Sequence, residues 1–148
     1  MRIFLTGSTG FIGQSLVRAM RRRDWAVQVL VRDRKGTAAQ WLSDQGCTLV
    51  AGDVTRPEGL ARAMAGADAV VHAAGVYELG VNANERGRMV QVNVGGTNNV
   101  LSATGKAAIC LARKGTSLLI DMHCSQYQVF DYARKIKIAA PSANFLML

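Results

Sequence analysis

The stretch "FLTGSTGFIG", residues 4–13, decides how this chain is read. Glycines stand at 7, 10 and 13, directly after the apolar run Ile3-Phe4-Leu5. They lead into "FIGQSLVRAMRRR" (11–23), where Ile12, Leu16, Val17 and Met20 recur at helical spacing. Strand, glycine turn and helix in this order open a βαβ unit, and the turn sits at the rim where open α/β sheets bind ligands. Gly7 allows the tight turn, Gly10 lets backbone approach a pyrophosphate with no side chain between, and Gly13 lets the helix pack close to the strand. The helix start near Phe11 points unpaired N–H groups and a positive dipole end at the phosphates. Glycines that only made a turn would not require this context, so a bound dinucleotide is the better explanation.

The same alternation continues. "AVQVLVR" (26–32), "CTLVAGD" (47–53) and "DAVVHAAG" (68–75) are β-branched or continuously apolar and predict strands covered on both faces. Between them, "TAAQWLSDQ" (37–45) predicts a helix stopping at Gly46, and "PEGLARAMAG" (57–66) one with Pro57 in its first turn. "GRMVQVNVGGTNNVLSAT" (87–104) reads as a further helix despite Gly95 and Gly96. Residues 1–104 therefore predict a dinucleotide-binding, Rossmann-type α/β domain: a doubly wound parallel sheet. Residues 105–148 form an atypical C-terminal segment. There "CLARKGTSLLID" (110–121) supplies a helix end, a glycine stop and a fifth strand. "FDYARKIKIAAPSANFLML" (130–148) supplies a last helix and an apolar end that, if exposed, would pair with another chain, leaving a homo-oligomer open.

Composition narrows the class. With 148 residues, about half of them apolar, the chain can bury one ordinary core. The formal charge of +8 does not point to nucleic acid, because Arg21, Arg22 and Arg23 close an amphipathic helix without aromatic interleaving or a recognised motif. No apolar run approaches the ~18 residues of a membrane span, and no charged-then-apolar leader opens the chain. Cys47, Cys110 and Cys124 show neither CxxC nor Cys/His spacing, and His72 and His123 form no ligand cluster with them. Reduced thiols, a cytoplasmic location and no metal are expected.

"TGSTGFIG" resembles the TGxxGxxG signature of the extended short-chain dehydrogenase/reductase family, which includes NAD(P)-dependent epimerases, dehydratases and dihydroflavonol-reductase-like enzymes. "GDVT" (52–55), "VVHAAG" (70–75) and "VNVGGTNNVL" (92–101) match in order, and "VYELGV" (76–81) is most like the dihydroflavonol-reductase side. The resemblance covers about the first 104 residues. It implies that the bend of Ser8, Thr9, Gly10, Phe11, Ile12 and Gly13 grips a diphosphate, with Gly7 at its base. It implies that Asp53 hydrogen-bonds the adenine amino group and that Val54 lines the ring. Ala73, Ala74 and Gly75 would lie against the ribose and nicotinamide side, and Asn93 would be a structural asparagine near the active site. Read from the residues alone, Asp53 could simply start a turn and Asn93 could cap or kink a helix.

The second strand ends at Arg32, where an acid would accept bonds from the diol of NAD and an arginine would neutralise the 2′-phosphate of NADP. NADP is expected, with NAD left open by Asp33 next door and by the alternative of a solvated arginine. The family's chemistry requires Tyr-x-x-x-Lys on one helix face. Four residues after Tyr77, Tyr127 and Tyr132 stand Val81, Asp131 and Ile136; Tyr132 has Lys135 and Lys137 on either side of that spacing, and Ser125 aligns weakly with the family's serine. Basic residues also change character: Lys35 is the one lysine before Gly105, whereas Lys106, Lys114, Lys135 and Lys137 outnumber Arg113 and Arg134 after it. A discontinuity near Gly105 is expected, as a truncation with a changed reading frame or a divergent terminus, and no motif of the family's substrate-binding half follows. Three functions stay open. They are a reductase or epimerase/dehydratase acting on a carbonyl or sugar-nucleotide substrate, a non-catalytic NADP(H)-sensing module resembling the NmrA-like regulators, and an inactive fragment.

Overall fold

In a computed structural model, which describes residues 1–76, 82–111, 117–120 and 144–147, the chain lays down strands and helices alternately. Strand β1 (Arg2–Thr6) is followed by helix α1 (Phe11–Arg21), β2 (Ala26–Val31), α2 (Thr37–Asp44), β3 (Thr48–Ala51) and α3 (Leu60–Met64). Then come β4 (Ala69–His72), α4 (Ala83–Val90), a π-helical segment (Gln91–Gly96), α5 (Thr97–Leu111), β5 (Ser117–Ile120) and β6 (Asn144–Met147). All described pairings are parallel, in the order β3-β2-β1-β4-β5-β6. This is the doubly wound Rossmann-type sheet that the alternation predicts.

The strands are buried because each face carries its own apolar cluster. On one face Ile3, Leu5, Val29 and Val71 meet Val17 and Met20 of α1 and Leu42 of α2. On the other, Phe4, Leu30 and Val70 meet Leu60 and Met64 of α3 and Val100 and Leu101 of α5. Successive strand residues point to opposite faces, so Ile3-Phe4-Leu5 feeds both clusters.

Several boundaries differ from expectation for local reasons. Strand β4 stops at His72, and Ala73 to Val76 continue without ladder pairing, held by Ala73 N–H to the Thr6 carbonyl (3.2 Å). Helix α3 begins only at Leu60, because Pro57 to Gly59 form a turn with Gly59 as the cap. The expected 87–104 helix starts earlier and is interrupted. Asn82 and Glu85 exchange side-chain-to-backbone bonds (2.9 and 3.0 Å), a capping box that starts α4 at Ala83. The π-helical segment then spans Gly95 and Gly96.

Beyond Thr104 the fold continues: α5 runs to Leu111, and β5 pairs with β4 as the expected fifth strand. The apolar terminal segment also places Asn144–Met147 as a sixth strand on β5, an element not expected from sequence. The expected helix after residue 130 lies outside the described residues. So do Tyr77, Ser125, Tyr127, Tyr132 and the two lysines flanking the Tyr132 spacing. Of the three arginines closing α1, Arg22 and Arg23 are exposed as expected. Arg21 is not a purely solvated charge, since it donates to the carbonyls of Gln45 (2.9 Å) and Trp25 (2.7 Å). Among the described residues no helix is long and apolar enough to cross a membrane, and no His/Cys/Asp/Glu group could hold a metal. Cys47 is buried, and burial raises its thiol pKa, against the lowering effect of Arg21.

Candidate functional site

The crossover after β1 goes to the α1 face and the crossover after β4 goes to the α5 face, although the two strands are neighbours. Connections that part in this way leave a crevice at the carboxyl ends of the strands. An open cleft lies there. The glycine turn contributes Gly7, Thr9 and Gly10, and the end of β2 contributes Leu30, Val31 and Arg32. Gly52, Asp53 and Val54 follow β3, and Ala73 to Val76 follow β4. Arg88 of α4 and Val92 of the π-helical segment complete the wall.

The three glycines differ physically. Gly7 has φ +73°, and a Cβ there would lie 2.5 Å from the Ala74 nitrogen, so the turn is pressed against the end of β4. A Cβ on Gly13 would run into the Gly7 carbonyl oxygen and come within 2.6 Å of Ser8 Cα. Gly13 thus lets α1 abut the turn itself rather than the strand. A Cβ on Gly10 would meet only the Gly7 oxygen, at 3.4 Å, an ordinary contact. Gly10 precedes helix α1 as its cap, with no side-chain cap bond and no acid in the first turn, so among the described residues no side chain caps its N-terminal N–H groups or offsets its dipole. Ser8 is fully buried, and its hydroxyl has no hydrogen-bond partner among the described residues. A bare helix start and an open glycine cradle fit an anionic group such as a diphosphate.

Of the thirteen residues expected at the site, Ser8, Phe11, Ile12 and Gly13 do not line the cleft. Ser8 and Gly13 are buried beneath the turn, whereas Phe11 is 90% exposed and Ile12 49% exposed beside it. Arg32 is exposed and faces the cleft; Asp33 does not line it, because its carboxylate accepts the Lys35 N–H at 2.8 Å. Asp53 does both things the sequence left open. One carboxylate oxygen accepts the Thr55 N–H and hydroxyl (2.9 Å each), making a turn, while the residue still lines the cleft. Partial burial pushes its pKa up, but the Thr55 bonds and the nearby Arg32 and Arg56 charges outweigh that and hold it below the usual carboxylate range. The Asn99 side chain fixes Val54 beside it by donating to the Val54 carbonyl at 2.9 Å.

Asn93 is a clamp. Its amide donates to the Val76 carbonyl (2.7 Å) and its oxygen accepts the Val76 N–H (2.8 Å), copying a strand partner for the chain beyond β4. A buried chain of hydrogen bonds ties the same elements further in. The Thr97 hydroxyl donates to the Asn93 carbonyl (2.6 Å), so it accepts from His72 Nε2 (3.0 Å). In the neutral ring Nδ1 then accepts from the Thr6 hydroxyl (2.6 Å), linking β1, β4 and α5.

The sequence reading missed Leu30, Val31, Gly52, Val76, Arg88 and Val92. Hydrophobic periodicity could not find Arg88, because α4 is polar up to Arg88 and its apolar residues Met89 and Val90 come only at its end. The signal that could is "NANE" (82–85), whose capping box starts the helix that carries Arg88.

A family model described as "NAD dependent epimerase/dehydratase family" matches residues 3–120, so the likeness runs past Thr104, where the sequence motifs end. A 3-beta-hydroxysteroid dehydrogenase of Mycolicibacterium neoaurum is 34% identical over 112 residues, covering 73% of this chain and 30% of that protein. The Photosystem II assembly factor Ycf39 of Synechocystis is 32% identical over 109 residues, covering 74% of this chain and 31% of that protein. The chain thus spans about a third of the length of these relatives. A solved short-chain dehydrogenase/reductase superfamily protein from Agrobacterium tumefaciens, with bound NAD, is 27% identical with a TM-score of 0.61, covering 82% of this chain and 32% of that one.

Proposed function

The chain belongs to the NAD-dependent epimerase/dehydratase family, and on that premise we propose that its cleft binds a nicotinamide dinucleotide, with NADP(H) preferred. The observation that carries this is the glycine turn joined to an uncapped helix start, at the crevice between β1 and β4. The diphosphate lies on the amides of the Ser8–Gly13 bend. Asp53 and Val54 hold the adenine, and the Arg32 guanidinium meets the 2′-phosphate as a planar fork of donors. Ala73, Ala74 and Gly75 present side-chain-poor backbone to the ribose and nicotinamide side. When bound, the dinucleotide supplies hydride chemistry; this chain's described residues bind and orient it.

Two activities follow from this site. The family favours an oxidoreductase or epimerase/dehydratase origin, acting on a carbonyl or sugar-nucleotide substrate in the cytoplasm. A second reading is a cofactor-sensing module that binds without turnover; one relative is named as an assembly factor rather than as an enzyme. Titrating NADPH and NADH into the purified chain, and following both binding and consumption with candidate ketones, tests all of this. Tighter binding of NADPH, lost in Arg32→Gln, supports the cofactor assignment, and a preference for NADH defeats it. Consumption of NADPH separates the enzyme from the sensor.

A further inference from the structure

Arg88 stands on α4 and lines the cleft. It is exposed, and among the described residues it makes no hydrogen bond or ion pair. The charge at the far wall is therefore available to a ligand. The wall that carries it is not loose. Asn93, one residue beyond the cleft-lining Val92, is bolted to Val76 by its paired amide bonds (2.7 and 2.8 Å). Val92 and Ala74 pack against the same apolar cluster. Ala73 and Ala74 in turn are the atoms pressed against Gly7 at the base of the glycine turn. An unbroken set of contacts thus runs from the turn, across the end of β4, to the helix bearing Arg88. Arg88 lies four residues before Val92, and both line the cleft.

We propose that Arg88 is a further cofactor-binding residue whose guanidinium closes on the diphosphate of the dinucleotide, opposite the amides of the glycine turn. This rests on the dinucleotide assignment above and adds a second cation to it. The work is divided between the two arginines. Arg32 at the end of β2 meets the 2′-phosphate that only NADP carries, and Arg88 meets the diphosphate that NADP and NAD share. The glycine turn supplies neutral amides and a helix dipole from one side, while Arg88 supplies a full charge from the other.

The test is equilibrium binding of NADP⁺ and NAD⁺, each titrated against the parent chain, Arg88→Gln, Arg32→Gln and Arg86→Gln. Arg86 is exposed on the same helix but does not line the cleft, and serves as the control. A hydrogen bond to a charged group corresponds to a loss of at least about tenfold in affinity. Arg88→Gln should weaken NADP⁺ and NAD⁺ by the same factor and flatten the salt dependence of both. Arg86→Gln should bind like the parent, and thermal unfolding without ligand should be unchanged in both variants. Loss of NADP⁺ binding alone in Arg88→Gln would overturn the diphosphate assignment, as would unchanged binding of both ligands. Failure of the parent chain to bind either dinucleotide would instead overturn the cofactor assignment itself.

Discussion

Gly10 and Gly13 belong to the same motif, yet replacing each with alanine should have opposite consequences. At Gly13 the new Cβ would overlap the Gly7 carbonyl oxygen and come within 2.6 Å of Ser8 Cα and 2.8 Å of the Gly7 carbonyl carbon. All three are backbone atoms, so relief requires α1 and the turn to separate. Overpacking of this kind sits at the upper end of its usual range, about 3 kcal/mol. Alanine in a helix returns about 1 kcal/mol relative to glycine. The net loss of about 2 kcal/mol corresponds to roughly 4–8 °C in Tm for a domain of this size. At Gly10 the backbone (φ −80°, ψ 171°) suits any residue, and the added methyl meets only one oxygen, at 3.4 Å. Alanine is the poorer helix cap, but it lowers unfolded-state entropy, and the two effects offset to within about 0.5 kcal/mol. The methyl stands instead in the cleft, so NADPH affinity should fall by about tenfold or more, from lost amide contacts to charged oxygens. Thermal denaturation and NADPH titration of both variants give the answer. A Gly13→Ala chain as stable as the parent would refute the reasoning, and so would a Gly10→Ala chain destabilised as much as Gly13→Ala.

Three further outcomes are expected. The Asp53 carboxyl titrates below its usual range in the folded chain, so its contribution to stability is present above the unfolded carboxylate pKa of about 3.9 and is lost as pH falls through the lower folded value. Asp53→Asn should therefore flatten the acid limb of a stability-versus-pH curve below about pH 4, and an unaltered limb contradicts this. Asn93→Ala removes both bonds to Val76 and leaves a half-buried N–H and carbonyl unmet, which should lower stability in denaturant titration by about 1–3 kcal/mol. Gly87 lies inside α4 with nothing within 4 Å of a Cβ. Gly87→Ala should raise stability by about 0.5–1 kcal/mol through helix propensity, measurable as a small rise in Tm.

The sequence alone determined the elements whose signals are local. Apolar strands, the Phe4–Gly13 turn and the helix stops at Gly46 and Gly66 are set by neighbours in the chain, and they name both the sheet and the end of it that binds. Asp53 and Arg32 could be nominated because their places follow from where strands end. Tertiary structure decided what depends on residues far apart in the chain. It turned Asp33 away and left Arg32 facing the cleft, made Asn93 a clamp on Val76, and set Gly13 against the turn. It also brought α4, a helix dominated by polar residues, and Arg88 with it, to the cleft. Periodicity reports which face of a segment is buried; it carries no record of which distant backbone that face will meet.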